Sequence, residues 1–239
     1  MPFNKGDFIL IDYTAKIKET GEIIDTTLEE VAKKEKVYRE DKVYEPLLVI
    51  LGEGRVVKGL EEELEKMNVG EEKTIELEPA RAYGERDPSK VKIVSIREFT
   101  RRGITPKVGE LVEIGGLPAI VRNVTGGRVT VDFNHPLAGK TIIYNVKVLK
   151  KLEDDKEKIL HLVHRRIRSI PIEKFNVELS DGTAKIFMPK ETFLLEDIQY
   201  AKQAIVKDIE RYIKSVATLE FIERFKLREE SKEESKKEQ

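Results

Sequence analysis

The chain has 239 residues, 37% charged and 39% hydrophobic, enough apolar residues for one large or two to three small domains under a dense ionic surface. Lys plus Arg total 44 and Asp plus Glu 45, a net charge of −1 that argues against a dedicated nucleic-acid binder. The absence of cysteine excludes disulfides, thiol catalysis and thiolate metal sites. No apolar run approaches the roughly 18 residues of a membrane span. The start, Met1 to Asp7, lacks a signal-peptide pattern, so a cytoplasmic location is expected. The Glu/Lys-heavy balance fits a thermophile's ion-pair-rich surface.

Phe8 to Lys18 alternates apolar and polar residues as a half-buried strand does. Glu19-Thr20-Gly21-Glu22 is a turn, and Ile23-Ile24 reopens the strand. Thr27 to Asp41 is charged and helical in pattern, a surface excursion, and Leu47 to Leu51 reads as a short buried strand. Leu60, Leu64 and Met67 fall on one face of a short helix, and Gly70 suits the left-handed stop after it. Lys73 to Leu77 alternates again as a strand.

After Tyr83-Gly84 the character changes. Short strand patterns at Val91 to Ile96, Leu111 to Ile114, Pro118 to Val124 and Arg128 to Phe133 are separated by glycine turns. They read as a small β-rich unit of their own. Thr141 to Leu149 then alternates as a long strand with no partner left in that unit, and its natural partners are the earlier strands. Residues 86–134 are therefore expected to be an insertion. Lys150 to Lys158 is a charged linker running into a helix whose face carries Ile159, Leu162, Val163 and Arg166. Phe175 to Leu179 and Thr183 to Met188 flank Ser180-Asp181-Gly182, a hairpin signal. Ile198, Ala201, Ile205, Ile209 and Ile213 mark a second helix, and Ala217 to Phe225 a last strand with an open edge. The final third is thus expected to be α-β-β-α-β, ending in a charged, disordered tail at 229–239.

Five segments carry the functional signal. They are Tyr13-Thr14, Asp25-Thr26-Thr27, Leu51-Gly52-Glu53-Gly54-Arg55-Val56-Val57-Lys58-Gly59-Leu60, Ala82-Tyr83-Gly84, and Asn134-His135-Pro136-Leu137-Ala138-Gly139-Lys140. Taken singly, Tyr13, Val56, Leu60 and Tyr144 read as core residues and Asp25 as a turn or cap residue. Together and in this order, the segments resemble the FKBP-type peptidyl-prolyl cis/trans isomerases, in particular the SlyD-like branch and the long archaeal FKBPs. The resemblance implies an α+β multidomain fold. An FKBP half-barrel, an antiparallel sheet wrapped on a short helix, would comprise 1–85 plus 135–152. An inserted-in-flap domain would occupy 86–134 and a C-terminal domain 153–228.

Isomerisation breaks no covalent bond; its barrier reflects amide resonance. The site therefore needs an apolar basin and a donor for the twisted carbonyl, with no nucleophile or cofactor. The resemblance implies that Tyr13, Leu47, Val56, Val57, Leu60 and Tyr144 line this basin, with Ile24 and Leu137 beside it. It places Asp25, after the second strand, near the twisted carbonyl. Val57 is to offer a backbone N–H and Tyr83 a phenol. Ile24, Leu47 and Leu60 stand where many members carry an aromatic, which puts macrolide binding in doubt.

The resemblance also implies that the insertion binds unfolded chains. Val91, Ile93, Val94, Ile96, Leu117, Ala119 and Ile120 are candidates for its apolar groove, with the unit's own core as the competing role. Other signals are set aside. Gly52 to Gly59 fails the phosphate-loop order. His161 and His164 lie i, i+3 on a helix but lack a third ligand, so they read as a solvated basic face and no metal is expected. The histidine- and cysteine-rich tail of SlyD is absent. Arg97, Arg101 and Arg102 with Phe99 form a basic surface patch; nucleic acid is disfavoured by the overall charge, and the ribosome stays a candidate partner. The expected activity is isomerase and folding chaperone acting on proline-containing or unfolded polypeptides. The alternative is a non-catalytic or ribosome-associated holdase. A homodimer through the C-terminal domain is expected.

Overall fold

The computed structural model describes residues 2–225 and 227; the tail expected to be disordered, 229–239, lies outside the described residues. In chain order the elements are β1 (Phe8–Ile17), β2 (Ile23–Thr26), α1 (Glu29–Lys34), β3 (Leu47–Ile50), α2 (Lys58–Leu64) and β4 (Glu72–Leu77). Then come β5 (Val91–Ser95), α3 (Ile96–Thr100), β6 (Leu111–Ile114), β7 (Leu117–Thr125), β8 (Arg128–Asp132) and β9 (Ile142–Leu152). The last are α4 (Asp155–Arg166), β10 (Asn176–Ser180), β11 (Thr183–Met188), α5 (Ile198–Tyr212) and β12 (Thr218–Glu223). No helix among the described residues is long and apolar enough to cross a membrane.

The first sheet is ordered β2-β1-β9-β4, with β3 also paired to β1, and all its pairings are antiparallel. β9 therefore lies between strands that precede the inserted unit, as its unpaired alternation required. Ile9, Ile11, Val49, Ile75, Val146 and Val148 point to one side, where α2 buries Leu60, Leu64 and, just past its end, Met67. Gly70 takes φ +84, a left-handed conformation that costs glycine nothing. Glu63 accepts from Lys73 (2.8 Å), Lys66 (2.9 Å) and Arg81 (3.3 Å), tying α2 to β4 and to the 3₁₀ turn Pro79–Arg81.

The opening of β1 departs from the half-buried expectation. Phe8-Ile9-Leu10-Ile11 is a continuous apolar run, and so is β3, Leu47-Leu48-Val49-Ile50. Phe8, Leu48, Ile50 and Leu152 face away from α2 and join a second core with Ile159, Leu162, Val163, Ile186, Ile205 and Ile209. Strands covered on both faces carry unbroken apolar runs. The C-terminal elements thus share a core with the sheet that carries the site. The expected linker is short, since β9 runs to Leu152 and α4 begins at Asp155, capped by Asp154 accepting from Glu157 N at 3.0 Å. The C-terminal order is α-β-β-α-β as expected. β10 pairs antiparallel and β12 parallel with β11, and both hairpin residues, Asp181 (φ 49) and Gly182 (φ 74), are left-handed.

The third sheet, β5-β8-β7-β6, packs one face on a small core of Phe99, Val112, Ala119, Val121, Val129 and Val131. Helix α3 was not expected; Ser95 caps it, accepting from Arg97 N. The two chain crossings into this unit are stitched together. Asp132, whose side chain is wholly buried, accepts from Arg86 (2.7 Å), Arg122 (3.1 Å), Asn134 N (3.0 Å) and Asn134 Nδ2 (2.8 Å). Asn134 also accepts from Asp87 N (2.9 Å) and donates to Asp87 O (2.8 Å). The excursion expected to be helical from Thr27 to Asp41 is helical only over α1; Lys36 turns left-handed (φ 60) and ends it.

Candidate active site

Tyr13 projects from the middle of β1, and β2 pairs beside it. Asp25 is a residue of β2 itself, not one following it: Ala15 sits opposite Asp25 and Thr14 opposite Thr26. That register carries Asp25 to Tyr13, whose hydroxyl donates to Asp25 Oδ2 at 2.5 Å. Burial first, and this hydrogen bond second, hold the Tyr13 hydroxyl well above the ordinary tyrosine range, so it is a neutral donor. Thr26 N donates back to Asp25 Oδ1 (3.0 Å).

Tyr144 comes from β9, directly opposite Ala15 and Ile75, which places its ring beside Tyr13 with centroids 6.1 Å apart. Its hydroxyl lies 3.4 Å from that of Tyr83. Burial and then this contact raise the Tyr144 pKa. Leu60, on α2, is fully buried, and Leu47, Val56, Val57, Ile24, Tyr83 and Leu137 are partly buried against the same core. Val57 is the N-cap of α2; its carbonyl accepts from Leu60 N (2.9 Å) and Glu61 N (3.1 Å). Three tyrosines and one carboxylate thus stand at the edge of an aliphatic floor.

A cleft of about 480 Å³ opens beside this group, lined by Ile24, Asp25, Tyr83, His135, Leu137 and the excursion's Val37, Arg39, Lys42 and Tyr44. Several of its residues were missed in sequence, Lys42, Tyr44 and His135 among them. Lys42 donates to Asp25 Oδ1 and, at 2.8 Å, to Thr26 O. Tyr44 lies under the Lys42 ammonium (5.2 Å). His135, read as a turn residue, stacks flat on Tyr83 with centroids 4.7 Å apart and 6° between planes. Nothing local signals these contacts, since the excursion folds back over some 17 residues to reach Asp25.

The insertion candidates divide. Ile93 is 67% exposed and Leu117 60% exposed, while Val91, Val94, Ile96 and Ile120 are half-buried. Ala119 does not belong to a surface: it is buried at the centre of the unit's core, because β7 points it inward with Val121. Leu111, not singled out in sequence, is 67% exposed and pairs with Ile120. Phe99 is buried in the same core and cannot stack on a base beside Arg97 and Arg101, and Arg102 donates to Glu113 O (3.1 Å). His164 is not solvated either. It is buried, with Nε2 donating to Glu45 Oε2 at 2.6 Å, and burial lowers the pKa of His161. Among the described residues no group of three or more His, Asp or Glu is arranged to hold a metal.

An antiparallel half-barrel on a single helix, with tyrosines and an aspartate at its mouth, defines a prolyl isomerase architecture. Comparison with known proteins agrees. Residues 2–107 match the FKBP-type peptidyl-prolyl cis-trans isomerase model, residues 92–137 the FKBP26 IF-domain model and residues 155–226 the FKBP26 C-terminal model. The chain is 40% identical over 144 residues to the short-type peptidyl-prolyl cis-trans isomerase of Methanocaldococcus jannaschii, covering 60% of this chain and 90% of that one. It is 36% identical over 110 residues to the FKBP-type 16 kDa isomerase of Escherichia coli K12, covering 44% and 73%. It is 28% identical over 159 residues to the isomerase SlyD of Helicobacter pylori, covering 65% and 78%. The chain belongs to the FKBP-type peptidyl-prolyl cis-trans isomerases and is an enzyme of that class.

Proposed function

We propose that this chain is a folding catalyst built as three units: an FKBP unit of 1–85 with 135–152, an inserted unit of 86–134 and a C-terminal unit of 153–228. The prolyl ring enters the basin of Tyr13, Leu47, Val56, Val57, Leu60 and Tyr144, with Ile24 and Leu137 at its edge. The observation that carries this is the Tyr13–Asp25 hydrogen bond at the mouth of an otherwise apolar basin. Planar amides are more polar than twisted ones, so a dry basin removes water's preference for the planar state. Asp25, oriented by Tyr13 and Lys42, opposes the carbonyl carbon as resonance is lost. The Val57 N–H, which donates to no group among the described residues, and the Tyr83 hydroxyl hold the flanking peptide.

The inserted unit holds unfolded chains on the exposed face and edges around Ile93, Leu111, Leu117 and Ile120, which raises the local concentration of X–Pro bonds at the basin. Two copies pair through the C-terminal unit, where β12 is an edge and Leu194, Tyr200 and Phe225 are exposed. Light scattering at micromolar concentration reads that pairing directly, and a monomer refutes it.

The test of the main reading is refolding of an unrelated, proline-limited protein. Catalytic amounts of the wild-type chain accelerate the slow phase. Asp25→Ala loses most of this while still suppressing aggregation, whereas Ile93→Asp loses suppression and keeps turnover on a short proline peptide. Equal acceleration by Asp25→Ala sinks the site assignment.

A further inference from the structure

Two segments contribute residues to the proposed basin and the cleft beside it. One is 41–46, which carries Lys42 and Tyr44 and ends at Leu47. The other is the 51–57 loop, which carries Val56 and Val57. Both are irregular, and irregular backbone is where a site loses precision. The loop is held from within by Glu61, whose carboxylate accepts from Gly52 N (3.0 Å) and Gly54 N (3.2 Å). Of the loop's own charged side chains, Glu53 and Arg55, it is Glu53 that pairs with the C-terminal unit.

There it meets Arg165, near the end of α4, whose side chain is only 4% exposed. Arg165 donates both terminal nitrogens to Glu53, at 2.8 and 3.1 Å, a two-pronged arrangement that fixes orientation as well as distance. Asp208 on α5 stands behind, 3.0 Å from Arg165, and is itself held by Arg166 at 2.7 and 2.8 Å. One residue earlier on α4, His164 grips Glu45 of the other segment. Beneath these polar contacts the two units share the core of Phe8, Leu48, Ile50 and Leu152 with Ile159 and Leu162. The anchor is therefore rigid, and the contacts above it transmit its position.

We infer that the C-terminal unit is a working part of the isomerase site. Through Arg165–Glu53 and His164–Glu45, α4 clamps both basin-framing segments, making these four residues positioning residues for prolyl isomerisation. The inference rests on Val56 and Val57 being a wall of the basin. A basin wall binds the prolyl ring in ground and transition states alike, so loosening it raises KM and leaves kcat nearly unchanged. An ångström of misplacement can cost up to about a hundredfold in rate, and a partial release is expected to cost about tenfold in kcat/KM.

The test uses the full chain. Glu53→Gln keeps the side-chain volume and leaves Arg165 its Asp208 partner, so it folds even if Arg165→Met does not; Glu45→Gln severs the second contact. Val177→Ala, on β10 in the same core but making none of the clamp's polar contacts, controls for general destabilisation. Turnover of a short proline peptide and amide exchange at residues 54–60 are measured well below the melting temperature. Glu53→Gln and Glu45→Gln are expected to raise KM about three- to tenfold, to speed exchange at the hydrogen-bonded amides of Gly54 and Leu60 on either side of Val56 and Val57, and to act more than additively together. Val177→Ala is expected to move neither readout. Unchanged exchange in both variants overturns the clamp. Faster exchange with unchanged KM overturns the assignment of Val56 and Val57 to the basin, and with it the link to catalysis. An equal effect from Val177→Ala reduces the contacts to ordinary stability.

Discussion

Gly59 sits in α2 one residue before Leu60, the proposed basin floor, and Gly59→Ala sets two effects against each other. Alanine is the better helix former, by about 1 kcal/mol in a helix interior. At this position, however, a Cβ would lie 2.6 Å from Leu77 Cδ2, 2.9 Å from Arg81 Cβ and 2.9 Å from Arg81 O. Leu77 is fully buried and cannot swing away, and Arg81 O is backbone of the turn that leads to Tyr83. Overpacking costs about 1–3 kcal/mol, and a contact with fixed backbone belongs at the upper end. The net expectation is a loss of about 1–2 kcal/mol despite the gain in propensity. Relief of the contact lifts α2 off β4 and carries Leu60 with it, so kcat/KM on a proline peptide should fall about tenfold. Urea denaturation and peptide turnover read the two consequences separately. A variant that is as stable as wild type and equally active would refute the packing argument and leave propensity the winner.

Tyr13→Phe removes the donor to Asp25 and is expected to lower kcat about three- to tenfold with the melting temperature nearly unchanged; a larger fall in stability than in kcat counts against the polar role. Because the Tyr13 pKa is raised, its hydroxyl should stay protonated through the ordinary tyrosine value of about 10, so the pH–rate profile should show no loss there from this residue. Burial pushes the Asp132 carboxyl up, but hydrogen bonds from Asn134, Arg122 and Arg86 outweigh it and hold the pKa at about 2. Its contribution, about 2–3 kcal/mol, is therefore fully present above the unfolded carboxylate value of about 3.9 and is lost as pH falls through the folded value. Asp132→Asn should abolish that acid dependence, and an acid titration of the inserted unit's unfolding checks it. Ala119→Asp should unfold the inserted unit, whereas Ile93→Asp should leave its stability within about 0.5 kcal/mol, as circular dichroism melts would show.

The local parts of this fold were legible because they are set by short-range pattern. β11 and β6 fall on the residues their alternation marks, and Asp181-Gly182 makes the turn that its two left-handed residues demand. The return of β9 to β1 and β4 followed from its alternation with no partner left among β5–β8. What went unread was remote. His164 and Arg165 have the composition of a wet helix face, and nothing within a turn of them says otherwise; they are buried because Glu45 and Glu53, more than a hundred residues earlier, meet them there. Ala119 looked like an equal of Ile93 in an alternating strand, and only the packing of one sheet face with Phe99 decides which is inside. The apolar run at Phe8–Ile11 did carry a signal, a strand covered on both faces, which a half-buried reading passed over; the like run at Leu47–Ile50 was read as buried, and is.

By itself the sequence determined most of the strands, the return of β9 to strands that precede β5, and the apolar and acidic residues proposed here as the basin and its edge. Periodicity, turn chemistry and residue type are properties of neighbours along the chain. Tertiary structure alone decided that Tyr13 and Lys42 converge on Asp25, that His135 lies on Tyr83, and that α4 grips the two segments framing the basin. Those contacts depend on strand register and on the docking of one core against another. A hydrogen bond a few ångströms long between residues 17 or 119 positions apart leaves no periodic trace in the chain.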